Sequence, residues 1–156
     1  MNKETLLKEL HASFKIVQDD LNFKTSFTEL NKIIFIEDMV LADGYVSNNL
    51  SRQIINRIVE MYYGQIGVFH SWLMAPPHDM IYMSEAKKLN EEERKDIFKT
   101  ISEIMYFVRK NKRISFEKNK ISEGKFIDEL MNYYNERFNN FMLKYYKKFE
   151  DFWKEG

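Results

Sequence analysis

Between Ser122 and Trp153 the chain has no proline and only one glycine, Gly124, yet it carries ten of the 24 aromatic residues in the whole sequence. Met131, Tyr134, Phe138, Phe141 and Tyr145 recur at steps of three and four, which is the apolar seam of a helix. Tyr133, Tyr146, Phe149 and Trp153 fall off that seam, so two faces of this helix ask for cover. At 1.5 Å per residue the helix would run roughly 48 Å, against a diameter of about 40 Å for a compact domain of this length. The spacing therefore predicts either an elongated bundle or an aromatic end covered by a second chain. Tyr145, Tyr146, Phe149, Phe152 and Trp153 are the large, rigid residues such a contact would use.

The rest of the chain reads as helix as well. Leu7, Leu10, Phe14, Val17 and Leu21 give a seam over the first twenty or so residues. Ser26 with Glu29 forms a capping box that starts a second helix at about Phe27, ended near Ala42 by Asp43 and Gly44. A third helix enters at Val46 and Ser47 and carries Leu50, Ile54, Ile58, Tyr62, Ile66, Phe69 and Leu73 up to Pro76 and Pro77. Within it, Gly64 and Gly67 admit either a kink or a close helix approach. Asn90 with Glu93 caps a fourth helix, whose stripe is Ile97, Ile101, Ile104 and Val108. Arg109 to Lys125 reads as a polar connection into the last helix, which Ser122 opens. No period-two alternation and no internal repeat occur. The expected fold class is all-α: a single helical domain over 1–156, a bundle of five main helices with room for a short sixth between Asp79 and Lys88.

The turn ADGYVS, Ala42 to Ser47, resembles the alanine, aspartate, glycine turn of the TerB-like tellurite-resistance family, whose members are small helical proteins. The likeness is confined to this turn and implies a helix–turn–helix joint, with no site residue attached to it.

Composition narrows the function. Lys plus Arg equals Asp plus Glu at 24 each, so no global field draws the chain to nucleic acid or to anionic lipid. The absence of cysteine excludes disulfides, thiolate metal sites and cysteine nucleophiles. The N-terminal residues lack the apolar run of a signal peptide and no later run spans a membrane, so a soluble, cytoplasmic protein is expected. Locally, Arg109, Lys110, Lys112, Arg113, Lys118, Lys120 and Lys125 face only Glu117 and Glu123, an excess that could hold a nucleic-acid backbone. Glu37 falls on the seam of the second helix between Ile34 and Leu41, where a buried carboxylate would need a cation, a proton or a metal. No Glu-x-x-His pair, paired histidines, phosphate loop or nucleophile with a recognisable base accompanies it, so neither cofactor nor metal is implied. The segment His70 to Met80 mixes two His, Trp72, Asp79 and two Pro at a helix end, with Asp79 expected to cap the next short helix.

The first reading is a non-enzymatic interaction protein that binds another protein chain, or a copy of itself as a homo-oligomer, through the C-terminal aromatic helix. The alternative is a small nucleic-acid-backbone-binding subunit using residues 109–125. An enzyme or metal protein centred on Glu37 comes third.

Overall fold

The computed structural model describes residues 2–156, and among these every regular element is helical. In chain order they are α1 (Lys3–Leu21), α2 (Phe27–Ile34), α3 (Ile36–Asp43), α4 (Leu50–Tyr63), α5 (Ile66–Leu73), α6 (Met80–Ala86), α7 (Glu91–Glu117), α8 (Lys120–Tyr133), a π-helical turn (Tyr134–Phe138) and α9 (Asn139–Glu155). The chain forms two compact units. Unit 1 comprises the residues up to Met61 together with Arg109–Met131, and unit 2 comprises Tyr62–Val108 with Asn132–Gly156.

In unit 1, α1 buries Leu10, Phe14 and Leu21 of the seam read from the sequence, but Leu6 is buried where Leu7 was expected, and Leu7 and Val17 are half-buried. Phe14 packs edge-on against Phe23 and Phe27, with centroids 5.6 Å and 5.2 Å away. Ser26 caps α2 as expected, its hydroxyl oxygen accepting from the Glu29 N–H at 3.1 Å. From α4, Leu50, Ile54, Ile55, Ile58 and Val59 enter the core, and from α8 Phe126, Ile127, Leu130 and Met131.

The expected second helix is two helices. Phe35 takes a left-handed conformation (φ 53°, ψ 54°), breaking the run between α2 and α3, and its side chain is exposed. The Asn31 side-chain oxygen accepts from the Glu37 N–H at 3.0 Å, and the Arg57 Nε donates to the Ile34 carbonyl at 3.0 Å, so two of the backbone groups freed by the break find partners. The break restarts the register, placing Ile36 and Val40 in the core in place of Glu37 and Leu41.

Unit 2 is held by aromatic packing. Trp72 and Tyr62 are almost wholly buried. Trp72 contacts Phe69 at 5.5 Å and Phe149 at 4.9 Å, and Phe69 in turn contacts Phe141 at 5.0 Å. A second group joins Tyr62 to Phe138 at 4.6 Å and to Tyr133 at 5.4 Å. The expected third helix is interrupted at Gly64 and Gln65, so Gly64 marks a kink and α5 runs separately to the prolines. The short sixth helix exists as α6, with the Asp79 carboxylate accepting from the Tyr82 N–H at 3.1 Å. Asn90 and Glu93 form a reciprocal capping box at 2.8 Å and 3.0 Å.

The largest difference from the sequence reading concerns Arg109 to Lys125. Instead of a connection, α7 continues to Glu117, Lys118 takes a left-handed turn (φ 54°), and α8 starts at Lys120, capped by Asn119. The break between the helices is a single junction because the Asn119 side-chain oxygen satisfies the N–H groups of Ile121 and Ser122 at once. Beyond it the long C-terminal helix is continuous in residues, as read from its composition, but it widens through the π turn at Tyr134–Phe138.

Candidate interaction surfaces

The aromatic end of α9 divides into buried and exposed residues. Tyr145 and Phe149 are interior residues of unit 2, 0% and 3% exposed, so neither is available to a partner. The reason lies in the spacing: Phe149 stands four residues after Tyr145 and eight after Phe141, on the same buried stripe. Tyr145 also donates its hydroxyl to Asp96 at 2.8 Å, and burial together with that carboxylate pushes the phenol above its ordinary range, keeping it a donor. Phe152 is partly exposed and sits beneath the Lys88 ammonium, 5.2 Å from the ring centroid. Tyr146 and Trp153 are exposed.

Both tryptophans of the chain converge on one carboxylate. Glu85, buried on α6, accepts from Trp72 Nε1 at 3.1 Å and from Trp153 Nε1 at 2.9 Å. Tyr146 adds an edge contact to Trp72 at 5.4 Å and donates to the Gln65 side chain at 2.7 Å. These bonds fasten α6 and the end of α9 to α5. Glu85→Leu strands the buried Trp72 N–H and is expected to cost about 2 kcal/mol, with Glu85→Gln losing less because one carbonyl acceptor remains. Urea unfolding followed by tryptophan fluorescence checks this, and equal stability of wild type and Glu85→Leu would refute it.

Around this clamp lies apolar surface that periodicity alone does not reveal. Met80, Ile81 and Met83 on α6 and Met74 at the end of α5 are exposed, Met80 by 72% and Met74 by 69%. The available signal was the run Met80, Ile81, Tyr82, Met83 in a helix too short to bury every side of itself. A second exposed stripe runs along α7 through Phe98 and Tyr106, 63% and 53% exposed, beside a cleft of about 400 Å³ lined by Lys99, Ser102, Glu103, Phe107 and Tyr133.

Behind that cleft Arg137, carried by the π turn, donates from Nε to Glu103 at 2.8 Å, from Nη1 to Asp96 at 2.9 Å and from Nη2 to the Thr100 hydroxyl at 2.6 Å. Nearby, burial raises the Glu93 carboxyl pKa, but two hydrogen bonds from Lys148 Nζ (2.8 and 2.7 Å), the Asn90 N–H and the lysine charges outweigh it, leaving the group below its usual range.

In unit 1 the basic residues of 109–125 lie on α7 and α8, except Lys118 in the turn between them. Lys110 is paired with Glu129 at 2.6 Å and Arg113 is paired with Glu117. Arg109, Lys112, Lys118, Lys120 and Lys125 are exposed, as is Phe116. Glu37 is corrected from a buried seam position to the first turn of α3, where its side chain is 34% exposed and its Oε1 lies 3.2 Å from His11 Nε2. An acidic residue is favoured there by the positive end of the helix. Among the described residues no group of three or more His, Cys, Asp or Glu is placed to hold a metal ion. Nor is any helix of the described residues long and apolar enough to cross a membrane.

The architecture and these surfaces define an all-helical protein of two compact units with exposed apolar and aromatic patches. The chain matches no protein family, no curated protein and no solved structure.

Proposed function

We propose that this is a non-enzymatic, cytoplasmic interaction protein that binds another protein chain, a second copy of itself included, through the face of unit 2 formed by α6 and the end of α9. The observation that carries this reading is the exposure of Met80, Ile81, Met83, Tyr146 and Trp153 around the buried Glu85 clamp. Aromatic anchors supply much of the energy at protein interfaces, and flexible methionines adapt to a partner's contour. The clamp holds α6 and Trp153 in place before binding, which lowers the ordering cost of association.

Met80→Glu combined with Ile81→Lys changes only exposed side chains and is expected to leave the helical circular dichroism intact while reducing native mass, measured by light scattering over a range of concentrations. An unchanged mass in that variant, with the wild type associated, would sink the proposed face. A wild type that stays monomeric throughout would remove self-association and leave a different chain as partner. Phe149→Asp is not a probe of this surface, because Phe149 is a core residue.

A second reading, binding of a nucleic-acid backbone, is supported by Phe116, which is 77% exposed among Arg109, Lys112 and Lys120 in the same unit. It is the weaker reading because Lys110 and Arg113 are already engaged by carboxylates.

A further inference from the structure

The break between α2 and α3 sets an aromatic ring where unit 1 gives it little in return. With φ 53° and ψ 54°, Phe35 is left-handed, a conformation that glycine and asparagine adopt readily and a bulky aromatic does not. Its ring is also 55% exposed, so packing within the chain leaves both the backbone strain and most of the apolar hydration uncompensated. The hydration cost falls only when something outside the chain covers the ring.

Beside Phe35 lies a cavity of about 290 Å³, whose walls are Ile33, Ile34, Phe35 and Met61 together with two charged residues of α4, Arg57 and Glu60. Arg57 is fastened through Nε to the Ile34 carbonyl at 3.0 Å. Neither its Nη groups nor the exposed Glu60 carboxylate takes a partner among the described residues, and although the two stand three positions apart on one helix they form no ion pair with each other. An uncovered ring, a cavity next to it and two opposite unmatched charges therefore share one face of unit 1.

That set is complementary to itself. In a two-fold contact the same patch serves both sides, so that each residue meets its counterpart's neighbour and the reverse holds across the axis. An axis beside Phe35 lays the ring of each copy over the cavity of the other. It also sets the two α4 helices antiparallel, which brings Arg57 of each copy to Glu60 of the other. A small acid would answer Arg57 and leave Glu60 facing it, whereas a second copy answers both charges.

We propose that the chain forms a two-fold dimer through this patch of unit 1, with a second copy as its occupant. The patch shares no residue with the protein-binding face proposed for unit 2. One ring, one cavity and one charge pair on each side make a small contact, so the dimer is weak, with a Kd of about 0.1 mM.

Sedimentation velocity of the full chain at concentrations up to about 1 mM, well above that Kd, tests the proposal. Phe35→Asn is the decisive variant: asparagine suits the left-handed position, so circular dichroism and thermal unfolding are expected to show a fold at least as stable, while association weakens at least about tenfold. Glu60→Arg changes an exposed side chain, sets it against Arg57 of the other copy and is expected to weaken the dimer to a similar extent. Met80→Glu with Ile81→Lys, which disables the face proposed for unit 2, is expected to leave this dimer in place, so either reading can fail without the other. A wild type that stays monomeric at about 1 mM would overturn the proposal. So would a Kd unchanged in Phe35→Asn or in Glu60→Arg, and so would association that disappears in the Met80/Ile81 variant and survives in Phe35→Asn.

Discussion

Gly124→Val is expected to destabilise unit 1 by about 4 kcal/mol, at the upper edge of what a single overpacking substitution does. The cause is a helix passing almost against another backbone: a Cβ on Gly124 would stand 2.1 Å from the Leu21 carbonyl oxygen and 2.9 Å from its carbon. Neither atom belongs to a flexible side-chain end, so α8 itself must retreat. Retreat breaks more than packing. One turn further along the same helix, Asp128 accepts from the N–H groups of Lys24 (2.9 Å) and Thr25 (3.0 Å) and from the Thr25 hydroxyl (2.7 Å), which holds the link between α1 and α2. Gly124→Ala meets the same oxygen and should still cost about 2 kcal/mol, after the roughly 1 kcal/mol that alanine contributes through helix propensity. Chemical unfolding of the two variants beside wild type decides the matter, and a neutral or stabilising Gly124→Ala would show that the helices do not approach so closely.

Arg137→Met is expected to cost about 3 kcal/mol, because it removes hydrogen bonds to Glu103, Asp96 and Thr100 and leaves two half-buried carboxylates without their common cation. The side chains of Arg137, Asp96 and Glu103 are 26%, 27% and 30% exposed, which places the effect between a solvent-screened surface pair and a fully buried one. Arg137→Lys keeps the charge but loses the planar fork, so it should recover only part of the loss. In a background with Glu103→Met and Asp96→Asn the cost of Arg137→Met should fall below about 1 kcal/mol, since the stranded charges are gone. If Arg137→Met alone costs under about 1 kcal/mol, solvent is compensating the carboxylates and the network is not a structural element of unit 2.

The helices were legible wherever a local device wrote them. The Ser26 cap, the Asn90–Glu93 box and the Asp79 cap appear as read, because each depends on neighbours in sequence, whereas the last helical run opens at Lys120 under an Asn119 cap and not at Ser122. Misreadings fell where no local residue announces the outcome. Phe35 is a poor left-handed residue, and only the Asn31 and Arg57 partners make the break tolerable. Arg109 to Lys125 looked like a loop because its charges hid the periodicity of Phe107 and Ile114, which are buried residues of α7.

The same division holds for the candidate sites. Tyr146 and Trp153 were named from the sequence and are exposed, but Tyr145 and Phe149 belong to the interior, and an aromatic residue four positions away looks the same in one dimension. Glu37 was singled out by its register, and the register changed at Phe35. No pattern could have brought Trp72 and Trp153 to Glu85, since the two tryptophans lie on different helices far apart in the chain. What this sequence determined by itself is its helical class, most of its helix starts and the length of its last helical run, all of which follow from spacing and capping over a few residues. Tertiary structure alone decided which face of each helix is buried, where Gly124 lets two backbones meet and which charges lack a partner, because burial and desolvation are properties of what packs against a residue and not of the residues beside it.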